Sequence, residues 1–180
     1  MTVSLDKKLF SGGLDLKVMI QGVEHVEVRH LITEFIALLG RMSIVNVPTI
    51  AVVHGAAIAG GCMFSFGHDF IYVVERGIFH CNEVELGMPL PPGMFGTIAR
   101  KHATPNGLRD MAVFGRKFSE KDGLKAGFVD EVVKNLQEVA DKASELASFG
   151  RNRANFRKLK MEQNKNLIEA CIKLQQLPRL

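Results

Sequence analysis

Apolar residues recur along this chain with two different periods, and the two periods alternate. From His25 to Met42 they return every three or four residues, which is the spacing of one face of a helix. "TIAVVHG" (49–55) is instead a short β-branched run without polar alternation, which is typical of a strand buried on both faces. "DFIYVVER" (69–76) has the same character. The alternation predicts an α/β fold.

The remaining segments extend this pattern. Strands are predicted over 2–10 and 127–133, and "GIFHCNEVEL" (77–86) is predicted as a short strand or extended segment. A turn at Gly60-Gly61 and then a short helix through about His68 are expected, and "GMPLPPGM" (87–94) is a proline-broken loop. Further helices are predicted over 94–102, 105–114, 119–126, 135–148 and 151–175. Ser119 followed by Asp122 favours an N-terminal cap on the third of these. The pattern thus divides into an α/β core (1–134) and a C-terminal helical region (135–180).

Composition excludes several classes of function. The 180 residues are 47% hydrophobic and 23% charged, enough for one substantial core. The net charge of +4 comes largely from basic residues in 151–160, which we interpret as a solvated helix face; without interleaved aromatic residues it does not predict nucleic-acid binding. No apolar run approaches the roughly 20 residues of a membrane span, and no signal or transit segment is recognisable, so a soluble chain is expected. Cys62, Cys81 and Cys171 lack CxxC spacing and are expected to be reduced structural thiols.

Two glycine-rich turns each follow an apolar run. They are "FSGGLDLK" (10–17) and "HGAAIAGGCMF" (54–64). Glycine lets a ligand approach the main chain closely, so two such turns could offer two backbone N–H donors to an oxyanion. One donor of this kind is worth about 2.7 to 4 kcal/mol in acyl transfer. The alternative is that both glycine pairs only make turns.

The histidines do not form a recognisable metal site. His54, His68 and His80 show no HExxH or other two-ligand spacing, and no serine lies in a nucleophile elbow. We expect no metal, and we interpret His68 and Asp69 as structural polar groups near a helix end.

Four segments in order resemble signatures of the crotonase (enoyl-CoA hydratase/isomerase) superfamily, most closely the plant-type Δ3,Δ2-enoyl-CoA isomerases. They are "LFSGGLDLK", "PTIAVVHGAAIAGGCMFSFGHDF", "FHCNEVELGMPLPPG" and "KFSEKDGLKAGFVDEVV". The resemblance implies a spiral of ββα units with C-terminal helices that support a homotrimer or hexamer, so 135–180 would be an oligomerisation region. It also implies an acyl-CoA substrate, with no cofactor beyond the coenzyme A that the substrate carries.

The resemblance also assigns the oxyanion site. In the family a thioester carbonyl is held by two backbone N–H groups, one from each glycine turn, while its enolate forms. On this sequence those donors are Leu14 and Gly60. The basic residues Lys7, Lys8, Lys17 and Arg100 are candidates for the CoA phosphates, and the sequence does not select among them.

Carboxylate positions separate the reactions within the family. Hydratases typically use two glutamates, the first of which lies three residues after the oxyanion glycine. Here that position is Met63, which cannot carry a proton, so hydration is disfavoured. The second family glutamate matches Glu83, and a 1,3 proton transfer needs one carboxylate. The resemblance therefore implies a Δ3,Δ2-enoyl-CoA isomerase of fatty-acid β-oxidation with Glu83 as its base.

The acyl pocket is expected around the same motif. Met63, Phe64 and Met88 would desolvate Glu83 and raise its pKa. Glu85 is a possible second carboxylate, because in an extended segment residues two apart share a face; both glutamates would then point into the site or both into solvent. The "MPLPPGMF" loop either shapes the acyl wall or only breaks the chain.

One departure from the family keeps a second function open. The family carries two or three strands and a helix before the "FSGG" turn, whereas this sequence begins close to it, which predicts an N-terminally truncated fold with an open sheet edge. The alternative function is a non-catalytic structural or assembly subunit of a larger complex. Pro178, Arg179 and Leu180 resemble a C-terminal peroxisomal address, and the mitochondrial matrix is the alternative location.

Overall fold

A computed structural model describes residues 1–22 and 25–173 of the chain. It confirms the mixed α/β class, with helices in the C-terminal region. The strands are β1 (Thr2–Val3), β2 (Leu9–Ser11), β3 (Ile50–Ile58), β4 (Phe70–His80), β5 (Phe118–Ser119) and β6 (Glu131–Val133). The helices are α1 (Leu16–Met19), α2 (Val26–Ser43), α3 (Gly60–Phe66), α4 (Pro92–Ala99), α5 (Pro105–Ala112), α6 (Glu120–Ala126), α7 (Leu136–Ala147), α8 (Arg153–Gln163) and α9 (Lys165–Lys173), with a 3₁₀ turn at Ser148–Gly150.

The sheet is built around its two longest strands, β3 and β4. They pair in parallel, with Ile50 opposite Phe70 and Ile58 opposite His80. Both β1 and β2 lie parallel to β3 on its other side, while β6 is parallel and β5 antiparallel to β4. Because β2, β3 and β4 run in the same direction, their carboxyl ends meet at one edge, which also carries both glycine turns.

The core has two parts, one on each face of the sheet. On the first face the ring centroids of Phe66 and Phe79 each lie 5.0 Å from that of Phe128. Buried residues of α2 belong to the same cluster. The second part is smaller and is covered by α7 through Val139. Helix α9 belongs to the first part, since its Leu167 and Cys171 are buried there.

The N-terminal prediction of one strand over 2–10 is wrong. The segment forms β1 and β2 with bends between them, because Asp6 accepts a hydrogen bond from the Lys8 amide at 2.7 Å and turns the chain. Neither the short helix α1 nor strand β5 was predicted.

Two later predictions also fail. The strand through 77–86 ends at His80, and 82–87 forms a hydrogen-bonded turn in place of an extended segment. The helix predicted over 151–175 is two helices, because the Asn164 side chain donates to the carbonyl oxygens of Ser43 and Lys160 at the break. Its last residues, 174–175, lie outside the described residues.

Over residues 1–22 and 25–173, no helix combines the length and the apolar character needed to cross a bilayer. The same part of the chain holds no group of three or more His, Cys, Asp or Glu residues placed to bind a metal ion.

Candidate active site

The two glycine turns lie against each other at the carboxyl edge of the sheet. Gly13 has φ +89°, and a Cβ added there would lie 2.8 Å from the Gly60 nitrogen. A Cβ added to Gly60 would lie 3.4 Å from the Leu14 nitrogen, and one added to Gly61 would overlap the Ser11 carbonyl. Side chains are therefore excluded here because two main-chain segments must touch. The structure brings together the two turns that the sequence singled out.

The amides of Leu14 and Gly60 are available as donors. Gly60 is the first residue of α3, so its N–H has no acceptor within the helix. Leu14 precedes Asp15, which caps α1 by accepting from the Lys17 amide. Within the described residues, neither the Leu14 nor the Gly60 N–H donates to a backbone or side-chain acceptor. Two adjacent backbone donors can bind one carbonyl or enolate oxygen.

Ala59 holds the second turn in a strained conformation. It has φ 49° and ψ −125°, a region that glycine favours and other residues rarely adopt. Such a residue costs on the order of 1–3 kcal/mol and persists because its surroundings fix it. Here its N–H donates to the His80 carbonyl at 2.7 Å, and its carbonyl accepts from the Met63 amide at 3.1 Å. The strain lies at the residue that fixes the direction of the Gly60 amide, and no sequence signal indicated it.

Glu83 is placed near these turns by strand pairing. It follows His80, which pairs with Ile58 two residues before Gly60. Among the described residues its Oε2 atom is buried with no hydrogen-bond partner. Burial raises the pKa of the Glu83 carboxyl above its usual value, and the backbone amide of Glu83 itself offsets part of that rise. A buried carboxylate with a raised pKa and an unpaired oxygen is suited to proton transfer.

Glu85 is not placed like Glu83, so the shared-face prediction is wrong. The turn that begins at Asn82, rather than an extended segment, sends the two carboxylates to different environments. The Glu85 side chain is 56% exposed, and its Oε1 lies 3.3 Å from His80 Nε2. The structure thus leaves one buried carboxylate in this motif.

The predicted pocket residues differ in exposure. Met63 is fully buried in the core, so its side chain is not at the surface of the described chain. Phe64 and Met88 are partly exposed, and the Met88 amide donates to the Glu83 carbonyl at 2.9 Å, which closes the turn that carries Glu83. Met88 therefore supports Glu83 through its backbone.

A thiol pair, which the sequence did not reveal, lies beside Glu83. Cys62 in α3 and Cys81 after β4 are both buried. A hydrogen bond with Cys62, together with burial and the nearby charge of Glu83, raises the pKa of the Cys81 thiol well above its usual value. The Cys81 thiol therefore stays neutral, and the two cysteines link the start of α3 to the Glu83 segment.

Two of the histidines and one of the basic candidates make structural hydrogen bonds, whereas Lys7, Lys8 and Lys17 are exposed. The ring of His68 bonds Thr2 Oγ1 at 2.8 Å and the Phe64 carbonyl at 3.0 Å, so it ties β1 to α3. His80 Nε2 bonds the Gly115 carbonyl. Arg100 donates to the carbonyls of Phe66 and Gly67, at the end of α3 opposite to Gly60. Of the four basic candidates, Arg100 is thus engaged away from the glycine turns.

Comparisons with known proteins identify sequences that are similar to this chain. The family model described as enoyl-CoA hydratase/isomerase matches residues 3–177. The peroxisomal enoyl-CoA delta isomerase 1 of Arabidopsis thaliana is 29% identical over 147 residues, covering 78% of this chain and 58% of that relative. A probable enoyl-CoA hydratase of Rhizobium meliloti is 31% identical over 147 residues, covering 79% of this chain and 55% of the relative.

The likeness extends to solved structures. An enoyl-CoA hydratase of Mycobacterium ulcerans superposes with a TM-score of 0.83 at 24% identity, covering 93% of this chain and 73% of that one. At that identity the superposition shows the fold, which is that of the crotonases. The chain spans a little over half the length of the two curated relatives.

Proposed function

Since the chain belongs to the enoyl-CoA hydratase/isomerase family, we propose that it converts 3-enoyl-CoA to trans-2-enoyl-CoA with Glu83 as the only proton carrier. The observation that carries this proposal is the Oε2 atom of Glu83, which is buried without a hydrogen-bond partner among the described residues. Glu83 follows the strand that ends at the sheet edge where the two glycine turns meet. The name of the Arabidopsis relative supports isomerisation, while that of the Rhizobium relative supports the wider hydratase/isomerase class.

The reaction moves one proton and one double bond. Ionised Glu83 removes a proton from C2 of the 3-enoyl thioester, and the electron pair of that C–H bond enters a dienolate. The negative charge collects on the thioester oxygen, which accepts hydrogen bonds from the Leu14 and Gly60 amides. Protonated Glu83 then returns its proton to C4, and the double bond lies between C2 and C3. The carboxylate is regenerated, and no cofactor beyond the CoA of the substrate is needed.

Hydration is disfavoured because a water molecule needs its own proton carrier. Met63 stands where the family hydratases have their first glutamate, and a thioether cannot exchange a proton at neutral pH. Glu85 does not replace it, since its carboxylate is more than half exposed and faces His80. One carboxylate is enough for the 1,3 transfer and insufficient for the paired hydratase chemistry.

The test is to incubate the purified chain with 3-enoyl-CoA and, separately, with 2-enoyl-CoA. We expect double-bond migration from the first and no hydration of the second. Glu83→Gln should lower kcat by about 10²–10⁴-fold, the usual worth of a general base. KM should change little, because the amide keeps the size of the side chain.

Glu85→Gln is the matched control, since it removes a carboxylate two residues away that lies outside the site. It should keep kcat within about twofold of the parent, as expected for an exposed substitution. Full migration by Glu83→Gln would remove Glu83 from the base role. A folded parent that binds no acyl-CoA and turns over neither substrate would favour the alternative, a non-catalytic subunit of a larger assembly.

The cellular setting forms a separate part of the proposal. We place the reaction in peroxisomal fatty-acid β-oxidation, on the peroxisomal name of the Arabidopsis relative and the C-terminal "PRL". That tripeptide lies outside the described residues. Residues 171–180 fused to a fluorescent reporter should direct it to peroxisomes, and a matched fusion ending at 177 should leave it diffuse; identical patterns would argue against the address.

We further propose a homotrimer or hexamer, which light scattering would test.

A further inference from the structure

A cavity lies at the opposite edge of the sheet from the glycine turns. Its volume is about 560 Å³, and it is bounded by Asp69 and Phe70 at the start of β4, by the end of α4 and by α8. Pro48, just before β3, also lines it. Strand β3 runs from this cavity to the oxyanion turns, a separation of about 25 Å along nine residues at the usual rise. The cavity is therefore separate from the site at Glu83.

Three cationic side chains line the cavity, with a single carboxylate among its lining residues. Lys160 is 4% exposed and its Nζ lies 2.8 Å from Asp69 Oδ2. Lys101 Nζ donates to the Asp69 backbone carbonyl, and Arg100 Nη1 donates to two carbonyls of the α3 end. The same Asp69 carboxylate also accepts from the amide and the hydroxyl of Thr49. The lining thus carries two positive charges in excess.

These cations have donors to spare. A lysine ammonium has three N–H donors and a guanidinium has five. Within the described residues Lys101 and Lys160 each use one, and Arg100 uses one nitrogen. The backbone carbonyls that accept from Lys101 and Arg100 carry no net charge, so among the lining residues Asp69 is the one carboxylate that offsets the three cations. A bound anion would pair with the excess positive charge at this end of the cavity.

The other walls are apolar. Phe70, Phe149, Phe156 and Leu159 line the cavity, and the last of these is 62% exposed at the rim. Its size lies within the range of about 300–1,000 Å³ that small-molecule pockets occupy, with a few placed polar groups among apolar walls. A neighbouring cavity of about 450 Å³ shares Pro48 and Leu146 with it and extends the groove. A ligand with a long apolar part fits this surface.

We propose that this basic cavity binds a medium-chain fatty acid, with its carboxylate at Arg100, Lys101 and Lys160 and its alkyl chain along the aromatic wall. The ligand matches both halves of the site, a single anionic head for the surplus cations and an unbranched tail for the apolar side chains. Burial lowers the pKa of Lys101 to about 8, and Arg100 and Lys160 act in the same direction while Asp69 and Asp130 oppose them. A bound carboxylate relieves that cost by pairing the buried ammonium.

The experiment is calorimetric titration of the full chain with decanoate. We expect saturable binding with one site per chain. Acetate, which has the head without the tail, and decyltrimethylammonium, which has the tail with the opposite charge, should both bind at least about tenfold more weakly, since each lacks one half of the match. Glu83→Gln should bind decanoate like the parent, because the cavity is independent of the reaction at the glycine turns.

Two exposed substitutions on the same helix test the place of binding without touching the core. Leu159→Glu puts a negative charge at the cavity rim and should weaken decanoate binding at least about tenfold through like-charge repulsion. Met161→Glu is the matched control, since Met161 is 43% exposed on α8 and does not line the cavity. It should bind within about twofold of the parent, as a surface charge outside the cavity is largely screened.

Lys101→Met removes one cation and keeps the length of the side chain. It should weaken decanoate binding while leaving the weak affinity for decyltrimethylammonium no lower than in the parent. The proposal is overturned by an absence of saturable decanoate binding, by equal effects of Leu159→Glu and Met161→Glu, or by displacement of decanoate by 2-enoyl-CoA, which would locate it at the glycine turns.

Discussion

Several departures from the ordinary rules of local structure lie at the carboxyl edge of the sheet. Ala59 has a positive φ without being a glycine, and Glu83 buries a carboxylate oxygen that has no partner among the described residues. The free amides of Leu14 and Gly60 lie at the same edge of the sheet. Each feature costs stability, and strained or unsatisfied groups that cluster together point to a functional site rather than to a packing fault.

Glu83 should therefore oppose folding at neutral pH. Its pKa is raised in the folded protein by burial, so folding favours the protonated acid. For a carboxyl with a raised pKa, the stabilising contribution is complete below the unfolded value near 4.5 and is lost as the pH rises through the folded value. At pH 7 the folded state bears the cost of burying the charged form.

Glu83→Gln should accordingly stabilise the protein by about 1 kcal/mol at pH 7, in the range of other substitutions that remove a functional cost. Urea unfolding measures the difference, and the gap between parent and variant should close as the pH falls toward 4. Glu85→Gln, with its exposed carboxylate, should show no such gap. A destabilised Glu83→Gln at pH 7 would mean that the charged carboxylate has a partner and is not held unpaired.

At the scale of single elements, helix α6 depends on its cap. Ser119 Oγ accepts from the Asp122 amide at 3.2 Å, and the Asp122 carboxylate accepts from the Ser119 amide at 3.0 Å and its hydroxyl at 2.7 Å. The Ser119 interactions hold the pKa of Asp122 below its usual value. The helix then ends at Gly127 with φ +80°. Both ends are fixed by local chemistry.

Ser119→Ala should destabilise the protein by about 1 kcal/mol, the usual cost of losing such a cap, because the Asp122 amide loses its acceptor. Thermal unfolding at neutral pH would measure it. Ser119→Thr is the matched variant, since threonine keeps a hydroxyl that can accept from the Asp122 amide and donate to the Asp122 carboxylate, and it should recover most of the loss. Equal losses for both variants would show that packing rather than the cap determines the effect.

This cap is also an element that the sequence predicted, and the reason is that its signal is local. The Ser119–Asp122 spacing indicates α6, and the three- and four-residue periodicity indicates α2, which spans Val26–Ser43. Both predictions are confirmed. The break at Asn164 was missed because it depends on a hydrogen bond to Ser43, far away in the chain. Local patterns cannot reveal a contact that only the folded chain creates.

The sequence likewise predicted some features of the candidate site and missed others. The resemblance indicated Leu14, Gly60 and Glu83 as positions, and the structure brings the two glycine turns into contact. The resemblance could not predict that 82–87 is a turn, which separates the Glu85 side chain from that of Glu83. The strained Ala59 was also missed, since alanine has no sequence signature for a positive φ. The role of each candidate stays a prediction.

At the scale of the whole molecule, the C-terminal helices are packed into the core of the chain. Helix α9 contacts α2 and α4, and a Cβ added to Gly93 of α4 would lie 3.2 Å from Cys171 Sγ. Helix α8 is joined to the sheet by the buried pair between Lys160 and Asp69. Whatever the oligomeric role of 135–180, these contacts predict that the region unfolds together with 1–134.

The Lys160–Asp69 pair provides the test, because its two members come from 91 positions apart. Lys160→Met should destabilise the protein by about 3 kcal/mol, since it leaves the Asp69 carboxylate without its buried cation. Asp69→Asn should also destabilise it, and the double variant should lose less than the sum of the two, because neither partner is then left as an unpaired charge. Chemical unfolding followed by circular dichroism should give a single transition for all four proteins. Because α8 bears one member of the pair and the start of β4 the other, a separate early transition in Lys160→Met would instead show that the C-terminal helices form their own folding unit, joined to the core chiefly through this ion pair.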